Sequence, residues 1–339
     1  MTDPVPQKSI LITWPGYSIE DATLGGALTA AGYRPVLRPK TGFRAPADVA
    51  RLLPGVVGAI VSTDPFPADV LRSAPDLCVI ARVGVGTDSI DLAAASSRGV
   101  VVTTTPGANE SVVADHTVAL LLAAVRRVVE NDASIRSGEW NRVGDLTPFD
   151  LSGRTIGLVG LGTIGGEVAR RLAGFDVEVL FTDPAVATHG AATRVPIDEL
   201  LRRSDIVSLH VPLTGTNRHL IGRPELASLR RGAILVNTSR GGLVDEDALV
   251  DALRSGHLAA AALDVFEVEP PRDRRLAALP NVVLSPHIAG LSPGSIQEMT
   301  RRATRSVLRV LAGDRPDGVA NPDVYRAVRP LAAGGAGRG

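Results

Sequence analysis

The sequence predicts an α/β protein built from two doubly wound parallel-sheet domains. Three observations carry that prediction. The chain has 339 residues, and domains of about 150 residues make two the natural number. Short apolar runs alternate with helical patterns from one end to the other. The alternation comes in two series, separated by a long apolar segment that reads as a helix.

The first series holds strand candidates at Ser9–Thr13, Gly58–Ser62, Cys78–Arg82 and Val100–Thr103. Helix candidates lie between them near 19–31, 67–73 and 90–97. Apolar runs of four to six residues separated by helices read as buried parallel strands. The second series is stronger: Thr155–Gly160, Val177–Thr182, Ile206–Val211, Ala233–Asn237, Ala259–Leu263 and Val282–Ser285. Six such strands with intervening helices match the count of a dinucleotide-binding sheet. Between the series, Asn109 to Ser137 is apolar most of the way round, so it is expected to be a buried helix. An amphipathic helix is expected over roughly 293–312. The final stretch LAAGGAGRG is too rich in Ala and Gly to order itself.

Composition narrows the function classes. Apolar residues make up 45% and charged residues 21%, ordinary globular usage. Basic and acidic residues balance at 36 each and aromatics are 3%, which argues against a nucleic-acid partner. The single cysteine, Cys78, leaves no internal disulfide and no cysteine-rich metal site. The N-terminus lacks the pattern of a secretory signal. The apolar stretch Val112–Val125 is interrupted by Asp115 and His116 and is too short for a bilayer. A cytoplasmic protein without membrane partners is expected.

The strongest local signal is GLGTIG at 160–165. It follows an apolar strand, opens a helix, and is followed by Asp183 at the end of the next strand. That context defines the Rossmann dinucleotide fingerprint. Gly160 allows the tight turn, Gly162 the approach of a pyrophosphate, and Gly165 close packing of the helix. The helix N-terminus attracts the anion. Asp183 would accept hydrogen bonds from the adenosine ribose and repel a 2′-phosphate. With no arginine close behind it in sequence, the expected cofactor is NAD rather than NADP. The plainer alternative is a glycine-rich turn beside a surface acid.

Ligands of doubly wound sheets bind outside the carboxyl ends of the strands. Arg240 follows Ala233–Asn237, Asp264 follows Ala259–Leu263 with Glu267 and Glu269 beyond it, and His287 follows Val282–Ser285. An arginine, carboxylates and a histidine thus collect at one edge. A hydroxy-acid/keto-acid couple needs these groups. Arginine holds a carboxylate bidentately and polarises a carbonyl. Histidine exchanges the alcohol proton near neutral pH, and a carboxylate bound to it orients it and favours its charged form. Taken singly, Arg240 could pair with Asp245, Glu269 could be a solvated loop acid with Glu267 competing for its role, and His287 could be structural.

Six segments together, RVGVGTDSID (82–91), PGANESVVADHTVAL (106–120), GLGTIGGEVA (160–169), NTSRGGLVDEDAL (237–249), ALDVFEVEPP (262–271) and SPHIAG (285–290), resemble the D-isomer-specific 2-hydroxyacid dehydrogenase family. Among its members the chain looks most like phosphoglycerate dehydrogenases without a regulatory domain. The resemblance implies that Arg240 binds substrate, and that Glu269 partners the acid/base His287. It implies that Thr163, Ile164, Asp183, Pro212, Thr238, Asp264 and Gly290 contact NAD along with the fingerprint glycines. Val85 and Gly86 would hold the substrate carboxylate through their N–H groups, with Asn109 nearby. It further implies a Rossmann NAD domain at 106–292, a flavodoxin-like substrate domain at 1–105 and 293–326, a cleft between them, and a homodimer; from its composition, 327–339 is expected to be a disordered tail. Asp115 stands where the family often has Glu, with little effect expected on chemistry.

The substrate is less sharply indicated. Arg82 resembles an arginine that phosphoglycerate dehydrogenases use for the substrate phosphate, whereas another basic position of that site is Ser62 here. A 2-keto acid with a second anionic group, such as 3-phosphohydroxypyruvate, is the leading expectation. The alternatives are a glyoxylate/hydroxypyruvate reductase, a phosphonate hydroxy-acid dehydrogenase, or Arg82 as a strand-end salt bridge. A non-catalytic NAD-sensing protein is the reading from a different class. GLSPG at 290–294 imitates a hydrolase nucleophile elbow, but Pro293 lacks the N–H an oxyanion hole needs. The other histidines show no metal spacing, so no metal is expected.

Overall fold

The computed structural model describes residues 8–327 apart from 41 and 43. The chain divides into two compact units, one comprising residues up to Ala108 and those from Ser292 onward, the other Asn109–Leu291. The sequence reading had put these divisions at 105/106 and 292/293.

The first unit is a five-stranded parallel sheet of β1 (Ser9–Ile12), β2 (Arg34–Leu37), β3 (Val56–Val61), β4 (Val79–Arg82) and β5 (Val101–Thr103), in the order β2-β1-β3-β4-β5. That is the flavodoxin-like order, whose switch point lies between β1 and β3. The crossovers contain α1 (Gly25–Ala30), α2 (Pro46–Ala50), α3 (Ala68–Arg72) and α4 (Leu92–Ser97). One face is covered by α2, α3 and α4 through Val49, Val70, Leu71 and Ala95.

The second unit begins with α5 (Glu110–Val125) and α6 (Val128–Arg136). One helical segment was expected here. The chain instead breaks at Arg127, which adopts φ +49°. The break is held by Arg127 itself, whose guanidinium donates to the Asp145 carbonyl and lies 4.8 Å over the Phe149 ring. The sheet then runs β6 (Thr155–Val159), α7 (Thr163–Leu172), β7 (Glu178–Thr182), β8 (Thr193–Arg194), α8 (Ile197–Arg203), β9 (Ile206–Leu209), α9 (Arg223–Ser228), β10 (Ala233–Asn237), α10 (Glu246–Arg254), β11 (Leu258–Leu263) and β12 (Val282–Leu284). Its order, β8-β7-β6-β9-β10-β11-β12, is the Rossmann arrangement with one added edge strand. All its pairs are parallel. Two cores result. Leu120, Leu121 and Ala124 of α5 pack with Val168 and Leu172 of α7 on one face; Leu200, Leu226 and Leu249 of α8, α9 and α10 line the other.

The chain then returns to the first unit. Helix α11 (Pro293–Leu311) lays Met299, Ala303 and Val307 against Ile10, Ile60 and Val79. Trp14 Nε1 donates to Thr300 Oγ1 at 3.2 Å, and the Tyr17 hydroxyl lies 3.1 Å from Thr304 Oγ1. Burial pushes the Tyr17 phenol up to about 12. Ser292 caps α11, its Oγ accepting from Ser295 N–H at 3.1 Å, which gives the serine of GLSPG a structural task. A short helix, α12 (Val324–Ala327), closes the described chain. The tail expected over 327–339 lies outside the described residues, except that Ala327 belongs to α12.

Candidate active site

The GLGTIG turn joins β6 to α7 at the second unit's switch point, between β6 and β9. Gly160 has φ +93°, a conformation glycine adopts without strain. A Cβ on Gly165 would fall 2.3 Å from the Gly160 carbonyl oxygen, so only glycine lets the helix start so close to the strand. A Cβ on Gly162 would meet nothing within 4 Å. Gly162 and Thr163 are exposed, and Ile164 is half-buried. The open space lies at the N-terminus of a ten-residue helix, where free N–H groups and the helix dipole favour a phosphate. The cradle therefore fits a dinucleotide.

Asp183 ends β7. Its Oδ2 accepts from Leu161 N–H at 2.8 Å, and its Oδ1 from Ala185 and Val186 N–H at 2.7 and 3.0 Å. Burial pushes its carboxyl up, but these bonds and nearby Arg194 outweigh that and hold it below the usual range. One part of the sequence reading is corrected here. Arg194, eleven positions on and brought back by β8, donates from Nη2 to the Asp183 carbonyl at 2.8 Å. The crossover between the two strands hides this neighbour from a linear scan.

His210 lies beneath the glycine turn. A Cβ on Gly160 would sit 2.6 Å from its carbonyl oxygen, and one on Gly165 3.4 Å from its Cβ. Both ring nitrogens are buried without a partner among the described residues. Burial pushes its imidazole down to about 4, so it is neutral at pH 7. Pro212, just after it, is exposed and accepts from Asn217 Nδ2 at 2.8 Å.

The carboxyl edge of β10, β11 and β12 brings the acid/base candidates together. His287 Nδ1 lies 2.7 Å from Glu269 Oε2, with both side chains one-third exposed. The other oxygen of Glu269 accepts from Phe266 N–H at 3.1 Å, which fixes the carboxylate plane. Glu267 is engaged elsewhere. It pairs with Arg218, lies 3.2 Å from His219 Nε2, and accepts from Glu246 N–H at 3.2 Å. The competition between the two glutamates for the histidine is thus resolved by geometry.

His287 has φ +54°, an uncommon conformation for a residue with a Cβ. Asp264, fully buried, holds it there. The Asp264 carbonyl accepts from His287 N–H at 2.7 Å, and its carboxylate accepts from Ile288 and Ala289 N–H at 2.9 and 2.8 Å. Gly290 follows, and a Cβ there would sit 2.5 Å from Asn109 Nδ2. Asn109 begins α5, and its Oδ1 is buried without a partner among the described residues.

Arg240 lies in extended backbone after β10, half-buried, with Nη1 donating to the Ser239 carbonyl at 2.7 Å. Gly241 lets this loop touch the next one: a Cβ there would fall 1.8 Å from the Phe266 carbonyl carbon. Thr238 is buried and bonded to Thr117 at 2.8 Å. His116, which the sequence reading passed over, lies 3.0 Å from Ser285 Oγ. Its only sequence signal was a histidine inside an otherwise apolar helix. Asp115 beside it is largely exposed and accepts from Arg171 Nε of α7 at 2.6 Å.

In the first unit, the loop after β4 exposes Val85 and half-buries Gly86. Arg82 is only 7% exposed. Its Nη1 donates to the Val83 carbonyl, and a Cβ on Gly84 would fall 2.2 Å from that nitrogen. Arg82 is thus folded under its own loop. Near Ser62, Asp64 accepts from Thr13 Oγ1 at 2.5 Å and pairs with Arg44 at 2.7 Å. Among the described residues, no helix is long and apolar enough to cross a membrane, and no cluster of three or more His, Cys, Asp or Glu could hold a metal ion.

Comparison with known proteins agrees with the fold. Residues 118–289 match the model of the D-isomer specific 2-hydroxyacid dehydrogenase, NAD binding domain. The chain is 46% identical to a glyoxylate reductase of Thermofilum pendens, over 79% of this chain and 82% of that one. It is 42% identical to a D-3-phosphoglycerate dehydrogenase of Mycobacterium leprae, over 80% of this chain but only 53% of the longer relative. The crystal structure of the TT0316 protein from Thermus thermophilus superposes with a TM-score of 0.83 at 39% identity, covering 92% of this chain and 99% of that one. With the Rossmann cradle, the second parallel-sheet unit and these matches in hand, the chain belongs to the D-isomer specific 2-hydroxyacid dehydrogenases, NAD-dependent oxidoreductases that act on a CH–OH group.

Proposed function

We propose that the protein reduces a small 2-keto acid of the glyoxylate or hydroxypyruvate type, with His287 as the acid/base. The observation that carries the chemistry is the 2.7 Å contact between His287 Nδ1 and Glu269 Oε2. An ionised carboxylate only accepts, so Nδ1 bears a proton and Nε2 is left to exchange one with the substrate oxygen. Bound NADH would supply the hydride. Arg240 would hold the substrate carboxylate and polarise the carbonyl. Val85 and Gly86 N–H groups would take the carboxylate as well; among the described residues neither donates to a protein acceptor. Thr163 and Ile164 at the start of α7, together with Asp183, Pro212, Thr238, Asp264 and Gly290, would line the cofactor.

The state of Arg82 favours a substrate without a second anion. Its guanidinium is enclosed beneath Gly84 and bonded to Val83, and the neighbouring strand end carries the Asp64 carboxylate. Glyoxylate reductases also stand among the similar relatives. The second reading, a phosphorylated 3-carbon acid, rests on the presence of Arg82 and on the likeness to phosphoglycerate dehydrogenases. We further propose a cytoplasmic homodimer. The support for the dimer is the exposed apolar set Val128, Val129, Ile135, Trp140 and Val143 on and after α6, the kind of patch that marks an interface.

NADH oxidation against glyoxylate, hydroxypyruvate, 3-phosphohydroxypyruvate, pyruvate and phosphonopyruvate tests the assignment. The expected result is preference for the first two, unchanged in its ranking by Arg82→Gln. A strong preference for the phosphorylated acid, lost in Arg82→Gln, would replace it with the second reading.

A further inference from the structure

We propose that His116 is a positioning residue for His287, acting through Ser285 and Asp264. The proposal rests on the assignment of His287 as the acid/base.

The argument starts from Asp264. Its buried carboxylate needs donors and a compensating charge. Oδ1 accepts from Ser285 Oγ at 2.6 Å and from Ile288 N–H at 2.9 Å, and Oδ2 accepts from Ala289 N–H at 2.8 Å. The Asp264 carbonyl takes His287 N–H. One residue therefore holds the strained 287–289 turn at three consecutive N–H groups. Because the carboxylate only accepts, the Ser285 hydroxyl must donate to it. Ser285 Oγ, 3.0 Å from His116 Nε2, must then accept from that nitrogen. His116 is thus oriented with an N–H at Nε2 as the donor to Ser285.

His116 Nε2 is 3.7 Å from Asp264 Oδ1, with the side chain 24% exposed. Asp264 is the one at ion-pair distance from His116 among the described residues. His116 thus holds the Ser285 hydroxyl, Ser285 holds the Asp264 carboxylate, and Asp264 holds the turn that aims His287.

The test compares wild type, His116→Gln, His116→Phe and Ser285→Ala. Glutamine keeps a donor for Ser285 but cannot ionise. His116→Phe and Ser285→Ala are expected to lose about tenfold in kcat through misaimed geometry, with the Kd for NADH within about twofold of wild type. His116→Gln is expected to restore most of kcat. Wild-type kcat in His116→Phe would overturn the proposal. So would a kcat in His116→Gln as low as that of His116→Phe. Turnover absent in wild type, or kept in His287→Ala, would instead defeat the assignment of function.

Discussion

His287 Nδ1 and Glu269 Oε2 stand 2.7 Å apart, and the second oxygen of Glu269 is tied to Phe266 N–H. The imidazole is therefore oriented by a carboxylate that is itself oriented. Removing the ring in His287→Ala is expected to lower kcat by about 10²–10⁴, the range for a general acid/base, with NADH binding retained. Glu269→Gln should lose less, since the ring remains but can turn. Steady-state kinetics and an NADH fluorescence titration check both. Full activity in His287→Ala would remove the histidine from the chemistry.

Gly241→Ala should be among the most damaging single-methyl additions in the chain. The added Cβ would lie 1.8 Å from backbone of Phe266, which cannot swing aside as a side chain can. Overpacking typically costs about 1–3 kcal/mol, and a backbone collision belongs at or above the top of that range. Urea denaturation would show it. An unchanged midpoint would mean that the loops after β10 and β11 are not held as close as the structure has them.

Asp183 and Arg194 set up a change of cofactor. On the proposed assignment the carboxylate would repel a 2′-phosphate, and Arg194 already sits on the Asp183 carbonyl. Asp183→Asn should lower the ratio of kcat/KM for NADH over NADPH by about tenfold or more, equivalent to about 1.4 kcal/mol. Adding Arg194→Gln should cancel part of that gain for NADPH. If the ratio does not move in Asp183→Asn, the acid is not what excludes the phosphate.

His210 predicts an acid limit to stability. Its folded pKa is pushed down to about 4, below about 6.5 for an unfolded histidine. Between those values the unfolded chain binds more protons than the native one, so stability falls as pH falls from about 6.5 to about 4. Fully expressed, the difference is about 3 kcal/mol. His210→Asn should flatten the urea midpoint against pH across that window. An equal slope in both proteins would place the acid sensitivity elsewhere.

Much of this molecule is legible in the sequence, and the gaps have physical causes. The strands of both sheet centres are continuous apolar runs because helices bury both faces. The edges are different. Strand β2 reads Arg34-Pro35-Val36-Leu37 and was missed, since an edge strand tolerates proline and partial exposure. The two-residue β8 offers no pattern at all. Within the candidate site, Arg240 and His287 were legible because each stands three residues past a strand, and Glu269 lies in the loop after β11. Arg194 and His116 were not, because their importance depends on which crossovers return to which strand. The state of Arg82 was equally hidden: sequence shows a cation, and only the packing beneath Gly84 shows where it points.

The return of α11 to the first unit has a consequence for biosynthesis. The first sheet emerges from the ribosome with one face bare, since Met299, Ala303 and Val307 are encoded beyond Leu291. At translation rates of about 5–20 residues per second, that face waits roughly 10–40 s for its cover. During that interval Ile10, Ile60 and Val79 are open to unwanted contacts, while the unit spanning Asn109–Leu291 is contiguous and need not wait. Until α11 is made, the first sheet is thus the part of the nascent chain most exposed to aggregation.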